Sequence, residues 1–592
     1  MEQRNAAGYW EGELSSSALS TATAITAFAV YDRAKGPRQF AQQIDSGLKW
    51  LAGHVNADGG WGDTIISGSN LSTTTLCWAA FGAAGTDESF ANVITNAERW
   101  LLNVVGSSNV HALARAVIER YGKDRTFSAP ILTMCALSGR FGSDPEAWEE
   151  VIQLPFELAA VPSRFYSFLR LPVVSYALPA LIAVGQAKHF HAPTGNAIID
   201  GVRNWLKPRT LEILRSIQPS SGGFLEATPL TSFVVMSLAG SGQAEHPVTR
   251  KGIEFLGASQ REDGSWPIDT NLATWVTTLA VNALTSDGTV ELPGVRDWLL
   301  NQQYTRVHPY TNAPPGGWAW TDLPGGVPDA DDTSGAVLAL ARLGPDDPKV
   351  REAASAGLQW LINLQNADGG LPTFCRGWGA LPFDRSSADI TAHGIEAWLA
   401  WLNHVPDSTQ ALQNAIRSAV QFLYKHQIPS GAWAPLWFGN EHAPGEQNLT
   451  YGTSRVVTAL ATLATSKPGD WFEPYFQRAL RHMLATGIAW LLKAQQQNGG
   501  WSGSESGPVS IEETALVLTA LASAQPHAGT NVTHALTRGT DWLVQQVESG
   551  AWKNPAPIGF YFARLWYYER LYPMIFTVGA LTGRVATPLA TG

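Results

Sequence analysis

A short pattern recurs along this chain and limits what it can fold into. Phe255-Leu256 is followed by Gln260 and then Asp263-Gly264-Ser265-Trp266, Phe422-Leu423 by Gln427 and Gly431-Ala432-Trp433, and Trp490-Leu491 by Gln495 and Gly499-Gly500-Trp501. Weaker copies start at Trp50, Ile213, Trp298, Trp360 and Trp542 and close on Trp61, Phe224, Trp318, Leu371 and Trp552. Self-similarity of this kind marks an architecture built by repetition. Each copy reads as a helix end and a turn. The aromatic–Leu pair belongs to the apolar stripe, and the Gly after the Gln stops the helix. The Gln can satisfy backbone groups left over at the helix end while the Trp packs under the turn. Between copies lie runs of 3.6-residue periodicity, such as 336–340 and 515–521, and strand-like alternation is scarce. The pattern predicts an all-α chain of helix pairs, stacked laterally and stitched at their ends.

At 592 residues the chain exceeds one hydrophobic core, which stops growing near roughly 250–300 residues, so two large domains are expected. Its net charge of −10 argues against a nucleic-acid binder. Cys77, Cys135 and Cys375, far apart, fit a reducing compartment rather than a disulfide scaffold. No secretory signal is visible, and no run is long and apolar enough to span a bilayer. The nearest run, Leu171 to Ala187, reads as a buried helix. The 24 Trp are the unusual feature, costly unless the rings are structural plugs or cavity lining.

One segment departs from this structural pattern. Gly317-Trp318-Ala319-Trp320 is followed by Pro328-Asp329-Ala330-Asp331-Asp332-Thr333 and a long apolar helix. Acidic residues at a helix start have an ordinary use, capping N–H groups and complementing the dipole. Three carboxylates crowded in a low-dielectric site also cannot all ionise, so one should hold a proton near neutral pH. The helix N-terminus would stabilise the carboxylate left once that proton is given away.

The repeat resembles the QW repeat of the squalene-hopene cyclase superfamily, the class II terpene cyclases. The resemblance implies two α/α-barrels, at 1–270 and 271–592, around a large apolar cavity, with the first residues packing on the second barrel. Asp329-Ala330-Asp331-Asp332-Thr333 matches the family's Asp-x-Asp-Asp-Thr motif, whose middle Asp protonates a terminal alkene. Carried over, Asp331 is the donor, while Asp329 and Asp332 hold its geometry and share charge. Ser387-Ala388-Asp389-Ile390-Thr391-Ala392-His393 looks like the segment whose His hydrogen-bonds the acid, and Asp389, one turn before His393, can fix the imidazole tautomer. Tyr451, in Tyr451-Gly452-Thr453, matches a family Tyr that would relay the restoring proton.

The cascade that follows needs dry, electron-rich walls, and aromatic faces contribute on the order of 0.5–2 kcal/mol each to a desolvated cation. Trp275, Trp320, Phe374 and Trp437 match family cavity positions. Tyr561 and Tyr568 are drawn from the aromatic stretch 560–568. Departures exist: Val276 stands where the family has Asp, Thr23 where hopene formers carry Glu, and the stretch between Lys188 and Ser220 is short.

The expected activity is cyclisation of squalene or a related linear triterpene through carbocations to a polycyclic product. No metal or organic cofactor is implied, with Mg²⁺ needed only for a diphosphate substrate. The resemblance points to a cytoplasmic protein and leaves open both peripheral contact with the inner face of the membrane and a homodimer. The alternatives are a class II diterpene-type cyclase acting on a prenyl diphosphate such as geranylgeranyl diphosphate, and a non-catalytic isoprenoid-binding barrel. A zinc prenyltransferase is disfavoured, because the cysteines are scattered and His189 with His191 is a weak metal pair.

Overall fold

The computed structural model describes residues 1–582 apart from 37, 87, 123–124, 143–144, 162–176, 286–289, 375–381, 467–471, 505–506 and 561–562. Ala273–Leu284, Ala330–Leu343, Ala388–Trp401, Leu449–Thr465, Ile511–Ala524 and Tyr572–Thr582 pack side by side in chain order, and the last closes on the first. Around this ring run Val295–Asn301, Pro348–Leu364, Thr409–His426, Pro474–Lys493 and Thr530–Ser549. A second ring holds Ala18–Lys35, Leu71–Ala84, Arg125–Leu137, Leu178–His191 and Thr228–Gly240 inside, with Ala41–Gly53, Ala91–Val105, Val110–Tyr121, Ala197–Ile217 and Pro247–Ala258 outside. The fold is all-α in two α/α-barrels. Trp10 and Leu14, near the N-terminus, pack into the core of the C-terminal barrel, and Trp10 N donates to Thr277 Oγ1 at 3.0 Å.

The two layers differ as their sequences require. Inner helices are apolar nearly all round; in Ile511–Ala524 almost every residue is buried. Outer helices bury one stripe only, as in Leu412, Ala415, Ile416, Ala419, Val420, Phe422 and Leu423.

The repeat does two physical jobs at each helix end. The indole N–H of Trp61, Trp266, Trp433 and Trp501 donates to the carbonyl of Leu51, Leu256, Leu423 and Leu491, at 2.7–2.9 Å. The Gln amide bridges its own turn to the next outer helix. Gln365 reaches Gly369 O and Ala415 O, Gln427 reaches Gly431 O and Met483 O, and Gln495 reaches Gly499 O and Ala535 O. The rings of Trp266, Trp433 and Trp501 also rest in notches where a neighbouring outer helix carries glycine. A Cβ on Gly487 would lie 2.9 Å from Trp433, and one on Gly539 would lie 2.6 Å from Trp501. The last copy departs from the pattern: Trp552 sits half-buried in a short 3₁₀ turn.

Strands are few, and some of them bear on the site. Phe438–Gly439, Ile558–Phe560 and Leu565–Tyr567 form a small antiparallel sheet between the barrels. Residues 171–176 of the run expected to be a buried helix lie outside the described residues; the rest enters Leu178–His191, whose inner face is buried. His189 and His191 do not converge on a common point, since His189 Nε2 meets Asn204 Oδ1 and His191 Nε2 meets Gly240 O.

Candidate active site

Between the barrels lies a cavity enclosing about 1670 Å³ of empty space, part of it open to solvent. Its walls are mostly apolar, as a hydrocarbon occupant requires. Leu19, Leu76, Phe127 and Ile131 come from the first barrel and Trp275, Phe374, Ile390 and Tyr572 from the second.

The acidic segment opens one wall. Asp329 is the N-cap of Ala330–Leu343, and its Oδ1 accepts from the backbone N–H of Asp331 and Asp332, both at 2.9 Å. Capping and chemistry therefore share the same residues. Capping leaves the Asp331 side chain free, and it faces the cavity. Its Oδ1 lies 2.5 Å from His393 Nδ1, on the neighbouring inner helix. With a proton on Nδ1 the imidazole donates to Oδ1, which leaves Oδ2 to carry the acid proton.

Burial and mutual repulsion act on the flanking carboxyls. Burial is the main cause that pushes Asp329 up to about 7, only partly offset by its hydrogen bonds. Asp332 is held well above the usual carboxylate range, first by burial and then by its acidic neighbours. Both side chains also keep one buried oxygen without a partner. Asp329 and Asp332 thus keep protons at pH values where ordinary carboxylates have lost them.

This has a consequence for stability. The folded state retains the Asp329 proton between about pH 4 and 7 while the unfolded chain loses it, so stability falls as pH rises across that window. The penalty above it is on the order of 4 kcal/mol. Asp329→Asn keeps the capping oxygen and removes the titration. Its melting temperature is expected to exceed wild type at pH 8 and to match it at pH 4; equal melting curves at pH 8 would contradict the assignment.

Residues 271–585 match the squalene-hopene cyclase C-terminal domain, and residues 1–136 match the N-terminal domain of the same family. The chain belongs to the squalene-hopene cyclase family. It is 26% identical to the terpene cyclase-glycosyl transferase fusion protein fsoA of Humicola fuscoatra, over 84% of this chain and 42% of that protein. It is likewise 26% identical to a squalene–hopene cyclase of Alicyclobacillus acidocaldarius, over 62% of this chain and 60% of that one. The chain therefore spans less than two thirds of the length of these relatives. Among solved structures, ent-copalyl diphosphate synthase from Streptomyces platensis shares the fold, with a TM-score of 0.61, 18% identity, and coverage of 97% of this chain and 96% of that one.

Within this family frame, the aromatic positions expected from the sequence come together. Trp275, Trp320, Phe374 and Trp437 all line the cavity. Phe374 stands 6.1 Å from Trp320 and 5.9 Å from Trp437, centroid to centroid. Trp275 presents its edge to His393 at 6.0 Å and donates its N–H to Tyr572 Oη at 2.9 Å.

Two expectations change. Asp389 does not hold His393: its Oδ1 accepts from Ser387 Oγ and from Leu436 N, while His393 Nδ1 turns to Asp331 on the neighbouring helix. Tyr568 does not line the cavity. It follows strand Leu565–Tyr567, where alternation sends Leu565 and Tyr567 inward, and its half-buried ring lies near Arg261 instead. Tyr561 lies outside the described residues. Tyr451 is buried behind Phe438, ring to ring at 4.6 Å, and is not part of the cavity wall. Burial raises its phenol well above the usual range, with the Asp331 charge adding to this.

Sequence reasoning missed Phe383, Phe560, Tyr567 and Tyr572, which complete the aromatic wall. Period-2 alternation through 565–567 could have separated Tyr567 from Tyr568; nothing local marks Phe383.

Proposed function

We propose that this protein is a class II cyclase that protonates a terminal alkene of squalene or a related linear triterpene from Asp331 and closes it through carbocations to a polycycle. The observation that carries this reading is the Asp331–His393 pair opening onto an apolar cavity walled by aromatic rings from both barrels. His393 holds one oxygen of the acid. Burial makes Asp329 and Asp332 harder to ionise, which lessens the anionic repulsion that Asp331 meets. Trp275, Trp320, Phe374 and Trp437 offer π faces to the migrating charge, and the cavity shape pre-folds the polyene. Tyr451 would return the spent proton through intervening groups. The residues supply the proton themselves, so the step needs no metal.

Incubation of the purified protein with squalene, and separately with geranylgeranyl diphosphate, followed by mass spectrometry, tests this. Cyclic triterpenes from squalene are expected. Cyclisation of the diphosphate alone would overturn the triterpene reading in favour of a diterpene-type cyclase.

We also propose peripheral attachment to a membrane, through which a water-insoluble polyene would arrive. Among the described residues no helix is long and apolar enough to cross a bilayer. The outer helix Ala197–Ile217 nevertheless exposes Ile198 (80%), Val202 (45%) and Trp205 (78%) on one face, next to exposed Phe190 and Leu158. Such a stripe is costly in water and suited to a lipid interface. Ile198→Ser with Trp205→Ser is expected to lower binding to phosphatidylcholine–phosphatidylglycerol vesicles by about tenfold or more in co-sedimentation. Unchanged binding would remove this face from consideration.

A further inference from the structure

Among the described residues four carboxyls line the cavity, and the acid motif accounts for Asp329, Asp331 and Asp332. The fourth is Asp269, which follows the repeat turn closed by Trp266. We propose that Asp269, backed by Glu226, is a polar subsite that hydrogen-bonds a neutral hydroxyl-type oxygen, carried by the isoprenoid or held there as water. The proposal rests on the cyclase reading for what fills the cavity.

Several independent features converge here. Asp269 Oδ2 accepts from the indole N–H of Trp320 at 3.2 Å, and Trp320 is itself a cavity wall. Its Oδ1 is shielded and makes no hydrogen bond of good geometry, the backbone N–H groups of Thr270 and Asn271 lying near the carboxyl. A carboxyl placed against a purely hydrocarbon occupant would stay under-satisfied, which is costly in a dry site.

Behind it the backbone is strained. Leu225 and Glu226 are consecutive non-glycine residues with φ of 57° and 53°. That left-handed step puts Leu225 on the cavity wall and turns Glu226 inward, where its Oε1 accepts from Ser221 Oγ and Gly325 N, both at 2.7 Å. The next residue, Ala227, bridges to Asp269. Strain of this kind persists where the surroundings over-determine a geometry, as they do at functional sites.

The charge state selects the ligand. Burial, then the Glu226 charge, hold the Asp269 carboxyl well above its usual range, so it keeps its proton to higher pH than an ordinary carboxyl. A protonated carboxyl donates through one oxygen and accepts through the other, which suits a hydroxyl. The adjoining Glu226 disfavours an anionic head such as a diphosphate. A site built to bond a hydroxyl rejects the analogue that lacks it far more strongly than an apolar pocket rejects a missing methylene. If the oxygen is water, its lone pair forms a C–O bond to the terminal carbocation, and its surplus proton passes to the ionised member of the Asp269–Glu226 pair.

The test titrates intrinsic Trp fluorescence with geranylgeraniol and with the hydrocarbon lacking its hydroxyl, in wild type, Asp269→Asn and Asp269→Leu, with folding checked by circular dichroism. Wild type is expected to prefer the alcohol at least tenfold, the Asn variant to keep most of that preference, and the Leu variant to lose it. This identifies a substrate oxygen. Squalene turnover in H₂¹⁸O separates the other source: ¹⁸O in the product hydroxyl of wild type, replaced by olefin in Asp269→Leu, identifies water. Equal affinities in wild type together with products that do not depend on Asp269 overturn the proposal. A wild type that discriminates in binding yet cyclises nothing sinks the cyclase reading and leaves the subsite standing.

Discussion

Asp331→Asn is expected to lower cyclisation by at least about a thousandfold, with the fold unchanged. General acids contribute roughly 10²–10⁴ in rate, and here the proton is itself the reagent, so the upper part of that range applies. An amide is nearly isosteric but cannot release H⁺ to an alkene. The helix start should survive, because the cap uses the backbone N–H of residue 331 and the side chain of Asp329. Product formation by mass spectrometry, beside an unshifted melting curve, is the measurement. Turnover within tenfold of wild type would mean that a different group protonates the substrate, and the mechanism above would be wrong.

Trp433→Ala is expected to be the most destabilising single change in the repeat set. The ring is fully buried between Leu423 and the Gly487 notch, so nothing flexible can fill the hole. Large-to-small changes of this kind cost about 3–5 kcal/mol, and Leu423 O also loses its indole donor, worth about 1 kcal/mol more. In a domain of this size that is a fall in melting temperature on the order of 10 °C. Trp433→Phe keeps most of the ring and should cost much less. Trp552→Ala, at the half-buried last copy, should change little. Similar losses at 433 and 552 would show that the repeat does not work as a set of plugs.

Much of this architecture was legible before any coordinates. The repeat, read as helix end, stop and plug, anticipated stitched helix pairs, because a Gln and a Trp at fixed offsets from one turn must meet the same local backbone. The crowding of the carboxylates was legible for a similar reason. Asp329, Asp331 and Asp332 sit within one helical turn, so their crowding is settled by four residues of chain.

The site became illegible wherever its parts came from distant segments. Asp331 and His393 are 62 residues apart, and the expectation that Asp389 would hold the imidazole failed because sequence spacing states which residues share a helix face and not which neighbouring helix that face meets. Tyr568 was preferred over Tyr567 because both are tyrosines, and only the pairing of 565–567 with 558–560 decides which one points inward. Nothing in the sequence marks Asp269, because the strained step at Leu225–Glu226 that lies behind it comes 43 residues earlier. By itself the sequence determined the helices, their stitching and the crowding of three carboxylates, since these depend on atoms a few residues apart. The tertiary structure alone decided the cavity, the partner of the acid and the fourth carboxyl in its wall, because burial and charge there are set by surfaces that meet only once both barrels have closed.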